Sequence, residues 1–524
     1  MKRRDFCKGL AVTLAAGTLA PAAALPQAGA ATALVGRAVP DDYYTLWYRS
    51  DRCGADLRHD YYYSDSLFDH PATEYDNQLA LATLGMAAAA DCTWESDQRY
   101  WMEGEVGRAD HIRDAFAKLG FTEVQLFNYT HSLNDTPDTV GCAVARKTLV
   151  RGGRQVTIIG AFLRGSGYGA EWSGNLHAGP GSAHVGFVTA ARQLVEKIRA
   201  YVQASAKRQP LGTLKLWMGG YSRGGGVANL VAARLPAVLP QLEKKNTFVY
   251  TFAAPASLTA ADCPDLQQDY DNNHAADGSL KKNWGTSNIF NIVSSGDVIP
   301  RILPAEWGFY RNGNDRFLPS TVIPEELQAL NDRSAGMEGT PMDFGRLAVT
   351  EEVDAVLHSM MDLFCDRQTY YKGYEDAMRC MLQCATTRTE EEVTRGIVRD
   401  DAAVVAQLRS MELMQRFPQE KVERCVQAAS ALSRPVLEKL GSAVPLQAQQ
   451  IVIPMLAVGL CFELQPETVQ LVADFVLSTI TVKGQLSGIL KTVLCHFQEN
   501  YITVLEAYDP ADHGMTPYTR REEL

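Results

Sequence analysis

Apolar runs and amphipathic stretches succeed one another along this 524-residue chain. "TVGCAVARKTLV" (139–150) and "QVTIIGAFLRG" (155–165) read as consecutive strands joined by Arg151-Gly152-Gly153-Arg154, a hairpin-like turn. "GFVTAARQLVEKIRAYVQAS" (186–205) then has the 3.6-residue period of a helix with one apolar face. "TLKLWMGG" reads as a strand, "GGVANLVAARLPAVL" as a helix, and "NTFVYTFAAP" and "SNIFNIVSS" as two more strands. Strands alternating with helices predict a mostly parallel sheet covered on both faces, so 136–344 is expected to be an α/β core.

Either side of that core the texture differs. Residues 31–135 read as a helical and irregular segment, with helices over 74–92 and at "ADHIRDAFAKLG", then a strand at "TEVQLFNY". Beyond 344 the strand pattern stops. "EEVDAVLHSMMDLFCD" places Val353, Val356, Leu357, Met360, Met361 and Phe364 on one stripe, and the same theme recurs to about 490. The expectation is a helical insertion over 345–490, acting as a cap, with 491–524 returning to the core.

Charge and composition narrow the function. A formal net charge of −11 argues against a nucleic-acid partner, because phosphate binding needs a basic surface. The first thirty residues carry paired arginines (Arg3, Arg4), an alanine-rich apolar run and a small-residue end at Ala28-Gly29-Ala30. That is the pattern of a cleaved twin-arginine export signal, so the protein is expected in the bacterial cell envelope or outside it. The eleven cysteines include no C-x-x-C pair; Cys380 and Cys384 share a helical face without further metal ligands nearby and are expected to be packed thiols.

The chemistry concentrates at Gly220-Tyr221-Ser222-Arg223-Gly224, the chain's single G-x-S-x-G. That pattern is informative only where a strand ends at the first glycine and a helix starts at the serine, and both conditions are met here. A serine hydroxyl needs a base, usually histidine oriented by a carboxylate, in the chain order Ser, Asp or Glu, His. Asp297 follows the strand-like "SNIFNIV" in a Ser-Ser-Gly turn. Of the four histidines after Ser222, His274 precedes Asp297 and breaks the order, His358 falls on an amphipathic helix, and His513 lies in the tail. His496 comes where the helical block ends.

Several ordered stretches resemble the class 3 lipases of the α/β-hydrolase fold, especially their bacterial relatives. "GYSRGGGVANL" is similar to that family's serine elbow, "AFLRGSGYGAEWSGNL" to its strand ending in R-G-[ST], and "HVGF" to its H-x-G-F. "TFAAPAS", "NIVSSGDVIPRILP" and "HFQENYITVL" resemble later family segments. The resemblance implies Ser222 as nucleophile, Asp297 as orienting acid and His496 as base. It implies oxyanion donors at Arg223 and Ser166, a structural role for His184, and no metal or organic cofactor. It covers most of 60–315 and the last thirty residues. The helical block is unmatched, and it sets Asp297 and His496 199 residues apart, farther than compact members of the family need.

The expected activity is hydrolysis of carboxylic esters, lipid or short acyl, through an acyl-enzyme. The substrate would be a small-molecule ester or lipid, with transient contact at a lipid surface. A non-catalytic cell-surface binding protein on the same fold, and an acyltransferase or thioesterase using the same three residues, remain open alternatives.

Overall fold

The two-residue period of an extended chain gives each strand of the central sheet two faces. In β6 (Thr213–Tyr221), Leu214, Leu216 and Met218 enter one core while Trp217 enters the other. The computed structural model describes residues 37–50, 55–91, 109–129, 138–166, 175, 184–259, 286–294, 297, 299–301, 309–319, 325, 328, 376–377, 380–381, 384, 399–440, 446–464 and 495–508.

The sheet has seven strands in the order β11-β9-β7-β6-β5-β4-β3. Five of them, β5 (Arg154–Leu163), β6, β7 (Thr247–Phe252), β9 (Ile289–Ser294) and β11 (Asn314–Leu318), are mutually parallel. At one edge β4 (Cys142–Arg151) and β3 (Thr122–Phe127) run antiparallel to their neighbours. β4 and β5 form the predicted hairpin, with Arg151 opposite Arg154 and Gly152 and Gly153 both at positive φ, the backbone that a tight two-residue turn demands. The α/β-hydrolase architecture expected from the sequence is thus the one observed, a mostly parallel sheet with flanking helices.

On one face, helices α3 (Val185–Arg208) and α4 (Arg223–Val238) close the β5-to-β6 and β6-to-β7 crossovers and bury Phe187, Leu194, Ile198, Leu230 and Val231. On the other, α1 (Asn77–Ala89) is apolar all round because it is sandwiched between β6 and a separate hairpin, β1 (Asp42–Ser50) with β2 (Ala55–Tyr63). Asp76 caps α1, its Oδ1 accepting from Leu79 N at 2.7 Å. Trp217 is fully buried there among Phe162 (centroids 4.8 Å apart), Phe68 (5.3 Å) and Tyr63 (5.7 Å). Its indole N–H donates to Thr83 Oγ1 at 2.7 Å.

The β1–β2 hairpin differs from the helical and irregular reading of 31–135. "DYYTLWYRS" and "ADLRHDYYY" carry aromatic residues on both faces, so a polar/apolar count shows no alternation. Folded, one row (Leu46, Tyr48, Tyr61, Tyr63) is buried while Tyr43 stays exposed. Short strands β8 (Leu258–Thr259) and β10 (Phe309–Tyr310) pair with each other outside the main sheet.

Within the predicted helical block the described helices are α5 (Asp401–Ser410), α6 (Gln419–Leu440) and α7 (Leu446–Cys461), with α6 packed on both of the others. The stripe at 353–364 lies outside the described residues. Cys380 and Cys384 are both buried. The last helix, α8 (Gln498–Ala507), rejoins the core: Tyr501, Ile502, Val504 and Leu505 pack in the same cluster as α1, and Asn77 Nδ2 donates to the Leu505 carbonyl at 3.3 Å. No helix among the described residues is long and apolar enough to cross a membrane.

Candidate active site

Ser222 stands alone between β6, which ends at Tyr221, and α4, which begins at Arg223. Its backbone has φ 53 and ψ −125, a conformation costing about 1–3 kcal/mol for a residue with a side chain. The turn is held on both sides: Ser222 N donates to the Phe252 carbonyl at 2.8 Å, and Ser222 O accepts from Gly226 N at 3.0 Å. Two glycines make the turn sterically possible. A methyl group at Gly220 would lie 2.4 Å from the Gly224 carbonyl oxygen, and one at Gly224 would lie 2.4 Å from that of Arg164.

The predicted partners converge on this hydroxyl. His496 Nε2 is 2.8 Å from Ser222 Oγ, and His496 Nδ1 is 2.8 Å from Asp297 Oδ2. The spacing of 199 residues is bridged because α8 packs back on the core two residues after His496. Asp297 lies three residues past the end of β9 and is fully buried. Its charge is distributed over three donors: besides His496, Tyr501 Oη donates to Oδ2 at 2.7 Å and Ile299 N to Oδ1 at 2.9 Å. Tyr501 Oη in turn accepts from Ser294 N at 3.0 Å. Burial, then the nearby Asp297 carboxylate, raises the Tyr501 phenol well above its ordinary range, so it stays a donor. Tyr221 is raised likewise, by burial first and then by Tyr501 and Asp297; its hydroxyl donates to the backbone carbonyl of His496. Two neutral phenols therefore fix the acid and the histidine segment.

β5 ends beside the serine. A methyl group at Gly165 would sit 4.0 Å from Ser222 Cβ, which places the Gly165 backbone, and so the chain entering Ser166, beside the Ser222 turn. Asp91 holds this strand end, its Oδ1 accepting from Gly165 N at 2.8 Å while its Oδ2 accepts from Gln498 Nε2. One carboxylate thus ties the residue before Ser166 to the start of α8. Asn175 holds the other side: Nδ2 donates to Ser166 Oγ at 2.9 Å and Oδ1 accepts from the Arg223 guanidinium at 2.7 Å. Arg223 also donates to the Thr139 carbonyl and lies over the Phe187 ring. His184 caps α3, its Nδ1 accepting from Phe187 N at 3.3 Å; Nε2 therefore carries the proton and donates to the Asn175 carbonyl at 2.8 Å. Because Asn175 occupies a lone pair of Ser166 Oγ, the Ser166 O–H is left to donate elsewhere.

Ser222, Asp297, His496, Ser166 and Arg223 are all brought together, at the carboxyl ends of parallel strands where ligands bind in open α/β sheets. His274, His358 and His513 lie outside the described residues. Tyr221, Tyr501, Asp91, Asn175 and Gln498 were not singled out from the sequence. Tyr501 closes the quoted "HFQENY" stretch and Tyr221 is the variable residue of the elbow, so both sat in view without a chemical signal. Nothing local marks Asp91 or Asn175. Among the described residues no group of side chains could hold a metal ion.

Residues 165–307 match the model of the lipase (class 3) family, a span running from the strand end beside Ser222 to just past Asp297. No curated protein matches the chain. Solved structures similar to it include a Rhizomucor miehei lipase in complex with its propeptide, at 20% identity, covering 46% of this chain and 68% of that one. Lipase II from Rhizopus niveus is 17% identical over 46% of this chain and 80% of its own. A lipase from Rhizopus microsporus var. chinensis is 16% identical over 47% and 75%. Each has a TM-score of 0.30, too low to add to the topology described above. Over residues 165–307, which include Ser222 and Asp297, the chain thus carries the pattern of the lipase (class 3) family, and this match supports a serine ester hydrolase.

Proposed function

We propose that the protein is an exported lipase or carboxylesterase that works through an acyl-enzyme on Ser222. The observation that carries this reading is the continuous hydrogen-bonded path from Ser222 Oγ through His496 to Asp297, 2.8 Å at each step. As Ser222 Oγ attacks the ester carbonyl, His496 Nε2 takes its proton, and the imidazolium that forms is stabilised by the buried Asp297 carboxylate. His496 then returns that proton to the leaving alcohol. Water, deprotonated by the same histidine, releases the acid in the second half. The tetrahedral oxyanion would be met by the Arg223 backbone N–H and by Ser166, whose hydroxyl Asn175 orients; one such donor typically contributes about 2.7–4 kcal/mol.

Export is proposed from the basic, alanine-rich first thirty residues. The helical block over 345–490 is proposed as the cap that shapes acyl entry, since it departs after Asp297 and returns just before His496. The direct test is hydrolysis of a nitrophenyl ester series from acetate to palmitate, with Ser222→Ala as control. Turnover lost in that variant supports the reading; turnover retained in it refutes the nucleophile. Deleting the cap should change the chain-length profile, and an unchanged profile in an active deletion would refute the cap.

A further inference from the structure

Arg311 stands outside the triad, on the turn between β10 and β11. Its side chain is 5% exposed, so its donors must find partners in the protein. Asp315, near the start of β11, grips the guanidinium as a fork: Nε donates to Oδ1 at 3.1 Å and Nη2 to Oδ2 at 2.6 Å. Asn291 of β9 also donates to Asp315 Oδ1, at 3.0 Å, so the carboxylate is itself fixed. The turn's backbone is pinned to α4: Asn312 N donates to Asn229 Oδ1 at 3.0 Å, and Asn229 Nδ2 donates back to the Asn312 carbonyl at 2.8 Å.

The remaining nitrogen of the fork faces the two backbone segments that carry the chemistry. Arg311 Nη1 donates to the Ala254 carbonyl at 3.1 Å and to the Pro300 carbonyl at 3.2 Å. Ala254 lies two residues beyond Phe252, whose carbonyl accepts from Ser222 N, and a methyl group at Gly225 of α4 would sit 3.0 Å from its Cβ. Pro300 lies in the 3-10 turn Ile299–Arg301, next to the Ile299 N–H that donates to Asp297. One nitrogen thus joins the nucleophile's turn to the acid's turn.

Resting on the ester-hydrolase reading above, we propose that Arg311 is a positioning residue, a clamp that sets the separation of the Ser222 turn from the Asp297 turn and so holds the triad at reacting distance. Two carbonyls bound by the two N–H groups of one planar nitrogen cannot drift apart without breaking a buried hydrogen bond. Asp315 neutralises the guanidinium, so the influence passed to the triad is one of geometry rather than charge. Lysine cannot copy the clamp. Arg311 uses four N–H donors here, two to Asp315 and one to each carbonyl, whereas an ammonium has three and no planar fork.

The test compares Arg311→Met and Arg311→Lys with the wild type, all as the full chain. Hydrolysis of nitrophenyl butyrate is measured per serine titrated with a fluorophosphonate, so unfolded molecules drop out of the rate. In Arg311→Met, kcat per titrated site should fall about a hundredfold, the scale of a misplacement of about 1 Å, with KM within about twofold. In Arg311→Lys it should fall about tenfold although the charge is kept. Amide hydrogen exchange at Ile299 and Ser222 should quicken in both variants. A merely structural arginine would lower the titratable fraction and leave kcat per site unchanged, and that result overturns the proposal. Wild-type kcat per site in Arg311→Lys, or unchanged exchange at Ile299, overturns it as well; the lysine variant decides if Arg311→Met does not fold. A wild type that neither labels nor turns over ester is a separate failure, which refutes the esterase reading and the proposal with it.

Discussion

Replacing Asp297 by asparagine perturbs the proposed site at one proton. In the wild type, Asp297 Oδ2 accepts from both His496 Nδ1 and Tyr501 Oη, and Oδ1 accepts from Ile299 N. An amide has one acceptor end and one donor end, so it cannot satisfy all three donors. With its nitrogen toward His496 it donates to Nδ1, the imidazole proton moves to Nε2, and Nε2 can no longer accept from Ser222. With its oxygen toward His496 it opposes the Ile299 N–H with its own N–H, leaving a buried donor unsatisfied at about 1–3 kcal/mol. Ring and backbone cannot both be suited, and the first arrangement keeps more of the backbone intact. Removing the carboxylate in such an arrangement typically lowers kcat by about 10⁴, equivalent to about 5.4 kcal/mol on the barrier. The assay is kcat/KM for nitrophenyl butyrate across pH, with circular dichroism to show that the fold survives. A loss of at least a thousandfold at neutral pH is expected. A loss under tenfold in a folded protein would refute the role given to Asp297.

Three further outcomes follow from the same contacts. Asn175→Ala should lower kcat by about tenfold or more with KM nearly unchanged, because Ser166 loses its orientation toward a charge that exists only in the transition state; rescue is expected in Asn175→Gln only if the donor reaches Ser166. Tyr501→Phe removes a buried donor to Asp297 and the acceptor of Ser294 N, so chemical denaturation should show a loss of about 2–4 kcal/mol, and wild-type stability would contradict the network. Lys147 is fully buried against Asp65 at 2.5 Å, its pKa lowered by burial against the opposing pull of Asp65. Lys147→Ala should cost about 3–5 kcal/mol, and adding Asp65→Ala should cost much less than its own single-mutant loss.

Sequence patterning was most legible where the environment is regular. The buried parallel strands read as continuous apolar runs, and Arg151-Gly152-Gly153-Arg154 read as a turn because two positive φ values require glycine. The β1–β2 hairpin did not read, because tyrosine and tryptophan are at once strand-forming, apolar and polar-tipped, which erases the alternation. At the site, Ser222 was legible from steric necessity, since glycines must crowd its turn. Asp297 and His496 were legible from order and resemblance. Asp91 and Asn175 were not, because each acts through a geometry created by distant elements: Asp91 joins the end of α1 to β5 and α8, and Asn175 joins Ser166 to Arg223 and His184. Such bridges leave no periodic trace in the chain.

The central claim is that Ser222 is made nucleophilic by His496. A fluorophosphonate probe, which reacts only with an activated serine, tests it directly when the adduct is mapped by mass spectrometry. A single adduct on Ser222 is expected, lost in Ser222→Ala and slowed by at least a hundredfold in His496→Ala. An unlabelled Ser222, an adduct on another serine, or labelling at the wild-type rate in His496→Ala would contradict it.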